Sequence, residues 1–549
     1  MTADASALAS DSRTVAMWTL VSRITGFGRV AALAAVLGPT FFGNLFQTAL
    51  MIPYVICELM AGSLITAMLA PHLVRALDGE GRLAAQRLAR GFAGVVLPMF
   101  AVVALLGMLA APLLLSLLTL AVDDPVVRAE QRALGWVLLL CLLPQIVLYG
   151  VAGIGIAVQH AHRRFAFATA APVIENVAMV AVLGLTAVWF GIGLDVHHVT
   201  LPQVLLLGLG STLAVGLHAA AQWWGAWRLG IALLPRAGWR DPQVRRIVRM
   251  AALSSGSSGL NSIGLLALMV AAGQFPGGAV AFQIANNLFN LPIALCARPI
   301  AAAQLPLLSR CFARHALAEF QATYRYSLRL TLFIALPAGL MFLGLPEVVA
   351  AAVALGEMRT PEAITLIAAS ISGLGLGIVS EAAFIVATSA SYARHDAASP
   401  LHAMAIRLAI VLVGVSLPPS VGHDEITLWH LGLAAAAASA CAAGYLHWRL
   451  GRALPRPVAG GVWPPADLGP ALDLGIAAMA VLPAALIARQ LPIGQGGIVT
   501  GLAQAALLLG LAGGLYLLAQ HLRGSHQLRS LLGRAAGVEP SSAESGTPP

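Results

Sequence analysis

Fourteen stretches of this sequence are apolar for about the length of a bilayer crossing. They fall at about 15–37, 41–73, 91–121, 133–158, 165–191, 201–227, 248–273, 279–307, 326–345, 363–390, 401–417, 427–448, 471–488 and 496–520. A helical span needs about 20 apolar residues to cover the hydrocarbon core. In lipid every backbone N–H and C=O must find a partner inside the protein, so only helices and closed barrels cross. These runs are continuously apolar rather than alternating, which selects the helix. With 59% hydrophobic and only 10% charged residues among 549, a soluble globular fold is excluded. The expected fold class is all-α: a polytopic membrane protein with about 14 transmembrane helices.

Charge tests that count independently. The even-numbered connections hold Arg75, Arg82, Arg87 and Arg90, then Arg163 and Arg164, then Arg228, Arg236, Arg240, Arg245, Arg246 and Arg249. Arg310, Arg314, Arg325, Arg394, Arg449, Arg452 and Arg456 continue the series, and Arg13, Arg523, Arg529 and Arg534 lie in the tails. The other side has Arg128, Arg132, Arg359 and Arg489, mixed with six acidic residues. The positive-inside rule then puts both termini in the cytoplasm and accounts for the net charge of +9 without nucleic acid. All 32 basic residues are Arg, so a Walker-type phosphate loop, which needs Lys, is absent. The five cysteines are scattered and form neither a metal spacing nor a disulfide framework. No cleaved signal peptide, catalytic triad pattern or H-E-x-x-H is read. His160, His162, His197 and His198 sit in loops near charges and are not assigned a metal. No cofactor is expected, and the chain is read as a non-enzyme.

An internal repeat divides the chain. FQTALMIPYVIC with the later APHLVR is matched by IANNLFNLPIALC with LPLLSR. In each copy Cys (Cys57, Cys296) follows Pro (Pro53, Pro292) by four, and a second Pro (Pro71, Pro306) precedes Arg (Arg75, Arg310) by four. Six helices separate the copies, so two six-helix lobes insert the same way up, as a parallel repeat. The expected division is an N-lobe at 1–227, a C-lobe at 228–450, an extra helix pair at 451–522 and a disordered tail at 523–549. Pro53 and Ala61-Gly62-Ser63 predict a bend in the second helix. Gly373-Leu-Gly375-Leu-Gly377 reads as a glycine run inside a helix, because no strand precedes it.

Arg23, Arg29, Glu58, Glu175, Arg298, Glu381 and Arg407 are ionisable residues placed inside apolar segments. A charge at the bilayer centre costs about 2.5–3.5 kcal/mol on the mildest scale, so each faces protein or a watery cavity. Arg23 and Arg29 are about 120° and 9 Å apart on an ideal helix, at two depths of such a cavity. Gly26 and Gly28 between them let a neighbour approach. Arg offers a planar fork of donors suited to phosphate or carboxylate. The alternative is a set of buried Arg–Glu pairs that only hold helices in register. Glu58 or Glu175 is a partner for the arginines while the site is empty. Gln283, Asn286, Asn287 and Asn290 share one helix face, with Asn44 and Gln47 in the equivalent places of the first copy. They either hydrogen-bond a headgroup or join helices.

Ser22-Arg23-Ile-Thr-Gly26-Phe27-Gly-Arg29 resembles the S-R-x-x-G-F-x-R pattern that opens the MurJ/MviN family of lipid II flippases. Ile52-Pro53-Tyr54-Val55 resembles its helix-2 step, and Tyr392-Ala-Arg394-His-Asp396-Ala-Ala-Ser-Pro400 its Y-x-R-x-D-x-x-x-P cytoplasmic turn. The resemblance implies alternating access in a bacterial cytoplasmic membrane. An Arg-lined cavity between the lobes would bind the pyrophosphate and sugar of an undecaprenyl-pyrophosphate-linked glycan, with the polyprenyl tail in the bilayer. Arg23, Arg29, Glu58, Asn44, Gln47, Asn286, Asn287 and Arg298 are the expected substrate-binding residues. Glu175, Glu381 and Arg407 are the expected charge partners or coupling groups. Where the family often carries helix-2 arginines this chain has Cys57 and Glu58. Asn44 stands for an acidic residue and Asn287 for a helix-8 Arg. The rival readings are a flippase for another lipid-linked glycan, a cation-coupled drug exporter of the same superfamily, and a non-transporting scaffold for cell-wall synthesis proteins.

Overall fold

The computed structural model of the chain describes residues 2–60, 64–231, 234–254, 256–417, 424–454, 468–495 and 497–535. Among them are twenty-two α-helices and no strand. In chain order they begin with α1 (Thr2–Leu37), α2 (Phe41–Met60), α3 (Leu64–Glu80), α4 (Arg82–Leu109), α5 (Ala111–Leu118), α6 (Pro125–Leu142), α7 (Gln145–Ala161), α8 (Phe165–Phe190) and α9 (Leu201–Arg228). There follow α10 (Pro242–Ser254), α11 (Gly256–Ala272), α12 (Gly278–Leu295), α13 (Ala297–Ala313), α14 (Leu317–Gly344), α15 (Pro346–Val353) and α16 (Pro361–Gly375). The last are α17 (Ile378–Ala393), α18 (Ala398–Ser416), α19 (Asp424–Ala453), α20 (Leu468–Ala488), α21 (Ile498–Leu522) and α22 (His526–Ala535).

Twelve spans among the described residues are long and apolar enough to cross a membrane, and the bent pair α16–α17 makes a thirteenth. Length and composition therefore do not by themselves give the fourteenth, which falls on the shorter apolar helix Ser258–Ala272. The glycine run at 373–377 is not inside a continuous helix. It marks the break between α16 and α17, which meet at an angle of 46°. Gly375 packs there against Phe342 of α14, where a Cβ would stand 2.8 Å from the Phe342 Cβ. The second copy of the repeat likewise breaks at Cys296, between α12 and α13. The matching bend expected at Ala61-Gly62-Ser63 lies outside the described residues, as does the tail beyond residue 535.

Contacts divide the chain into two compact units. The first comprises residues 1–287, 353–370 and 404–438. Its core is built on Phe42, Phe46, Ile65, Leu69, Leu73, Phe92, Phe100, Leu138 and Leu139, each less than 2% exposed. The second comprises 288–352, 371–403 and 439–549. In it α20 and α21 pack on α14, with Leu345, Val481, Ala484, Leu508 and Ala512 buried together. The Tyr516 hydroxyl donates to the Phe333 carbonyl at 2.8 Å, so the aromatic ring is buried without orphaning its oxygen. Leu, Val and Trp side chains exposed along the spans, such as Leu105, Leu113, Val188 and Trp189, are the surface expected against lipid.

Candidate substrate-binding site

The site is built where α8 lies along α1 and α9 lies along α8. Gly26 makes the first contact possible, because a Cβ there would already stand 3.6 Å from Asn176 Nδ2. The Asn176 amide donates to Thr25 Oγ1 at 3.1 Å and to the Ser22 carbonyl at 3.3 Å. One helical turn beyond Thr25, Arg29 Nη1 donates to Glu175 Oε1 at 3.2 Å. The Arg29 side chain is 38% exposed and that of Glu175 only 12%. The carboxylate therefore anchors the guanidinium from the protein side, and one of its five N–H donors is spent. Arg29 makes no other hydrogen bond among the described residues. Solvent screening keeps this pair nearer the strength of a surface ion pair than a buried one.

Glu175 has a second partner that the sequence reading passed over. His218 Nδ1 donates to Glu175 Oε2 at 2.9 Å, and the histidine side chain is 9% exposed. One turn on, Gln222 Nε2 donates to the Ala168 carbonyl at 3.0 Å and to His218 Nε2 at 3.4 Å. Gln222 Oε1 accepts from Gln159 Nε2 of α7 at 2.6 Å. Both glutamines are buried, at 0% and 1% exposure. Two glycines let α7 and α9 come close enough. A Cβ on Gly155 would stand 2.8 Å from the Gln222 carbonyl oxygen, and one on Gly225 2.7 Å from Gln159 Cδ. The result is a polar chain, Arg29–Glu175–His218–Gln222–Gln159, crossing four helices of one unit. The signal was present in the sequence: His218 and Gln222 stand at i and i+4 inside an apolar span, where an ionisable residue is a functional candidate by default.

The other expected residues lie outside this polar chain, several of them in hydrogen bonds of their own. Arg23 is exposed and makes no hydrogen bond among the described residues. Asn44 is engaged within the protein. It is 2% exposed, its amide donates to the Phe275 and Gly273 carbonyls, and its Oδ1 accepts from the Ala279 backbone N–H at 3.0 Å. It clasps α2 to the turn joining α11 and α12, so every polar atom is committed. Gln47 is buried too, at 8%. Glu58 and Asn286 are half-buried, and Asn287 Oδ1 accepts from Gln283 Nε2 at 3.3 Å. In the second unit Arg298 is exposed on α13, and Glu381 Oε2 accepts from the Ser439 hydroxyl at 2.9 Å. Arg407 is half-buried on α18.

The Y-x-R-x-D-x-x-x-P turn has a structural role. Asp396 caps α18 by accepting the Ser399 N–H at 3.0 Å and the Ser399 hydroxyl at 2.6 Å, and Arg449 Nε donates to that hydroxyl. Partial burial pushes the Asp396 carboxyl up, but the Ser399 bonds with Arg449 and Arg394 outweigh it and hold the group below the usual carboxylate range. On a loop outside the spans His197 Nδ1 lies 2.5 Å from Glu130 Oε2, and that hydrogen bond raises the imidazole above its ordinary value.

Together these features define a polytopic helical membrane protein with a cationic, carboxylate-held site in its first unit. Two solved structures are among those that its fold matches. One, described as lipid II flippase MurJ in an inward closed conformation, gives a TM-score of 0.70 at 14% identity, covering 95% of this chain and 99% of that one. The other, an inward-facing multidrug resistance MATE family transporter of the MOP superfamily, gives 0.61 at 14%, covering 78% and 95%. The chain belongs to the lipid II flippase MurJ family, whose model matches residues 33–509. Curated relatives include a probable lipid II flippase MurJ of Rhizobium tropici, 24% identical over 72% of this chain and 73% of that protein. The lipid II flippase MurJ of Burkholderia cenocepacia is 24% identical over 76% and 79%.

Proposed function

We propose that this chain is a lipid II flippase of the bacterial inner membrane. It would move the polyprenyl-pyrophosphate-linked precursor from the inner to the outer leaflet by alternating access, with both termini cytoplasmic. The observation that carries the reading is Arg29: a half-exposed guanidinium, in a stretch that resembles the family's opening motif, fixed by a largely buried carboxylate with most of its donors unspent. A headgroup bearing a pyrophosphate does not cross hydrocarbon unaided, and a forked cation matches phosphate oxygens in charge and geometry. Arg23, exposed on the same helix, supplies a second cation. Glu175 keeps Arg29 from collapsing onto other acceptors while the site is empty. The cell-wall synthesis proteins that use the product are candidate partners.

Native mass spectrometry of the purified chain with undecaprenyl-pyrophosphate-linked lipids tests this, with phosphatidylglycerol as the control. Selective binding that Arg29→Ala weakens by about tenfold or more is expected, since a hydrogen bond to a charged group contributes about 1.5–3 kcal/mol. Binding no better than phosphatidylglycerol, or indifferent to both Arg23→Ala and Arg29→Ala, would remove the site from this role.

A further inference from the structure

The hydrogen-bond directions around His218 select one ring tautomer. The Gln222 amide is oriented by two acceptor–donor contacts: its Oε1 receives Gln159 Nε2, and its Nε2 donates to the Ala168 carbonyl. That leaves Gln222 Nε2 facing His218 Nε2, which must accept. In this arrangement the ring proton that bonds Glu175 lies on Nδ1, and Nε2 is the accepting nitrogen. In this state Arg29 is the only full cation on the Glu175 carboxylate among the hydrogen-bonded partners. The chain Arg29–Glu175–His218–Gln222–Gln159 thus joins a half-exposed guanidinium to a buried imidazole nitrogen that accepts a hydrogen bond.

We infer that His218 Nε2 is a proton-binding site whose occupancy releases Arg29 from Glu175 to a phosphate-bearing ligand. This rests on the reading of Arg29 as the headgroup ligand. A proton taken from water onto Nε2 makes His218 a cation, and Glu175 then has a full charge partner without Arg29. The new Nε2–H also opposes the Gln222 NH2, so that amide turns over to present Oε1. Turning it breaks the bond to Ala168 on α8 and forces Gln159 on α7 to turn as well. One proton therefore changes both the charge available to a ligand and the cross-links among α7, α8 and α9. Other groups frame the pair. Arg29 comes from α1, and Tyr149 of α7 lies within electrostatic reach of both Glu175 and Arg29. By linkage, whatever favours Arg29 on a phosphate also favours the proton on His218. His218 is a positioning residue in this scheme, since it reaches the ligand only through Glu175 and Arg29.

Calorimetry of undecaprenyl pyrophosphate binding to the full chain in nanodiscs tests this, run between pH 6 and pH 8 in buffers of different ionisation enthalpy. The slope of heat against buffer enthalpy reads protons taken up per ligand. Wild type is expected to take up more protons than His218→Gln, and to lose about tenfold in affinity from pH 6 to pH 8 relative to that variant, a typical coupling strength. The comparison between proteins cancels the ligand's own titration. Glu175→Gln provides a second variant: it is expected to bind more tightly than wild type at pH 8 and to show the smaller uptake, whereas a merely structural Glu175 would bind more weakly. Selective binding with equal proton uptake in wild type and both variants overturns the inference and leaves the flippase reading standing. Binding no better than phosphatidylglycerol at every pH overturns the flippase reading, and the inference falls with it.

Discussion

Gln222 shows how much of this site hangs on single amides. Its side chain satisfies Gln159, Ala168 and His218 at once, and none of the four groups is more than 9% exposed. Gln222→Leu keeps the volume but strands the Ala168 carbonyl and the His218 ring nitrogen, at about 1–3 kcal/mol for each, and takes from Gln159 its shortest bond, leaving it the longer ones to the Gly155 and Gln222 backbone carbonyls. Thermal unfolding in nanodiscs should show a clear loss of stability for Gln222→Leu. The Gln159→Leu plus Gln222→Leu double variant should lose less than the two single changes added together, because it strands fewer groups. Additive losses would show that the amides do not act as a unit. At this scale the sequence was partly legible. An arginine and a glutamate in apolar helices announce themselves, and Arg29 and Glu175 do meet. His218 and the two glutamines were less visible because amides within spans more often join helices than serve ligands. Asn44 illustrates the converse. Its place in the repeat suggested a ligand, but only the fold shows the carbonyls of the turn at 273–275 waiting for it.

The helices themselves were legible from apolar run length, since lipid leaves the backbone no other choice. Their interruptions were not, because a break depends on what packs against it. Glycines make the point. Gly155 and Gly28 both sit in helices, and an alanine at either gains about 0.8–1 kcal/mol of helix propensity. Gly28 has nothing within 4 Å of its would-be Cβ, whereas Gly155 faces the Gln222 backbone at 2.8 Å. Gly28→Ala is therefore expected to be neutral or stabilising. Gly155→Ala is expected to destabilise, since overpacking costs about 1–3 kcal/mol and backbone cannot step aside. Equal melting temperatures for the two would refute this account of the α7–α9 approach. The cap at the start of α18 makes a pH prediction. Asp396 is held below its ordinary value by Ser399, Arg449 and Arg394 against the opposing effect of burial. Its stabilisation is therefore fully present above the ordinary aspartate value of about 3.9 and is lost as pH falls through the lower folded value. Asp396→Ala should lose about 1 kcal/mol of helix stability near neutral pH, read as faster amide exchange in the first turn of α18. It should also remove that acid dependence.

Whether the chain ends where it began, on one side of the membrane, turns on α10 and α11. At about 25 Å, the 17 residues of α11 fall short of a core of about 30 Å. The packing of the first unit says more than length does. Before α10 the chain is tied to the start of α4: Arg236 N donates to the Arg90 carbonyl, and Arg90 Nε to the Leu234 carbonyl. α10 then lays its buried Val244 and Ile247 inward and its exposed Arg245, Arg246 and Arg249 outward, the habit of a helix at the basic face. After α11, the turn at Gly273–Phe275 is clasped by Asn44 at the beginning of α2. Where the apolar run at 41–73 makes one crossing, as the sequence leads one to expect, these two anchor points belong to opposite faces. The expected outcome is that the segment between Arg236 and Gly273 crosses, giving fourteen spans with both termini on one side. Single-cysteine variants in a cysteine-free background, treated with a membrane-impermeant maleimide, test this. In spheroplasts, Asp124→Cys and Glu357→Cys should label, while Arg240→Cys and Arg529→Cys should label only after permeabilisation. Protection of Arg240→Cys with labelling of Arg529→Cys in spheroplasts would mean an odd number of crossings after α10. Moving the cysteine to Arg314 and then to Arg394 would locate the failing segment, because the first of these to label marks where the alternation of arginine-rich connections fails.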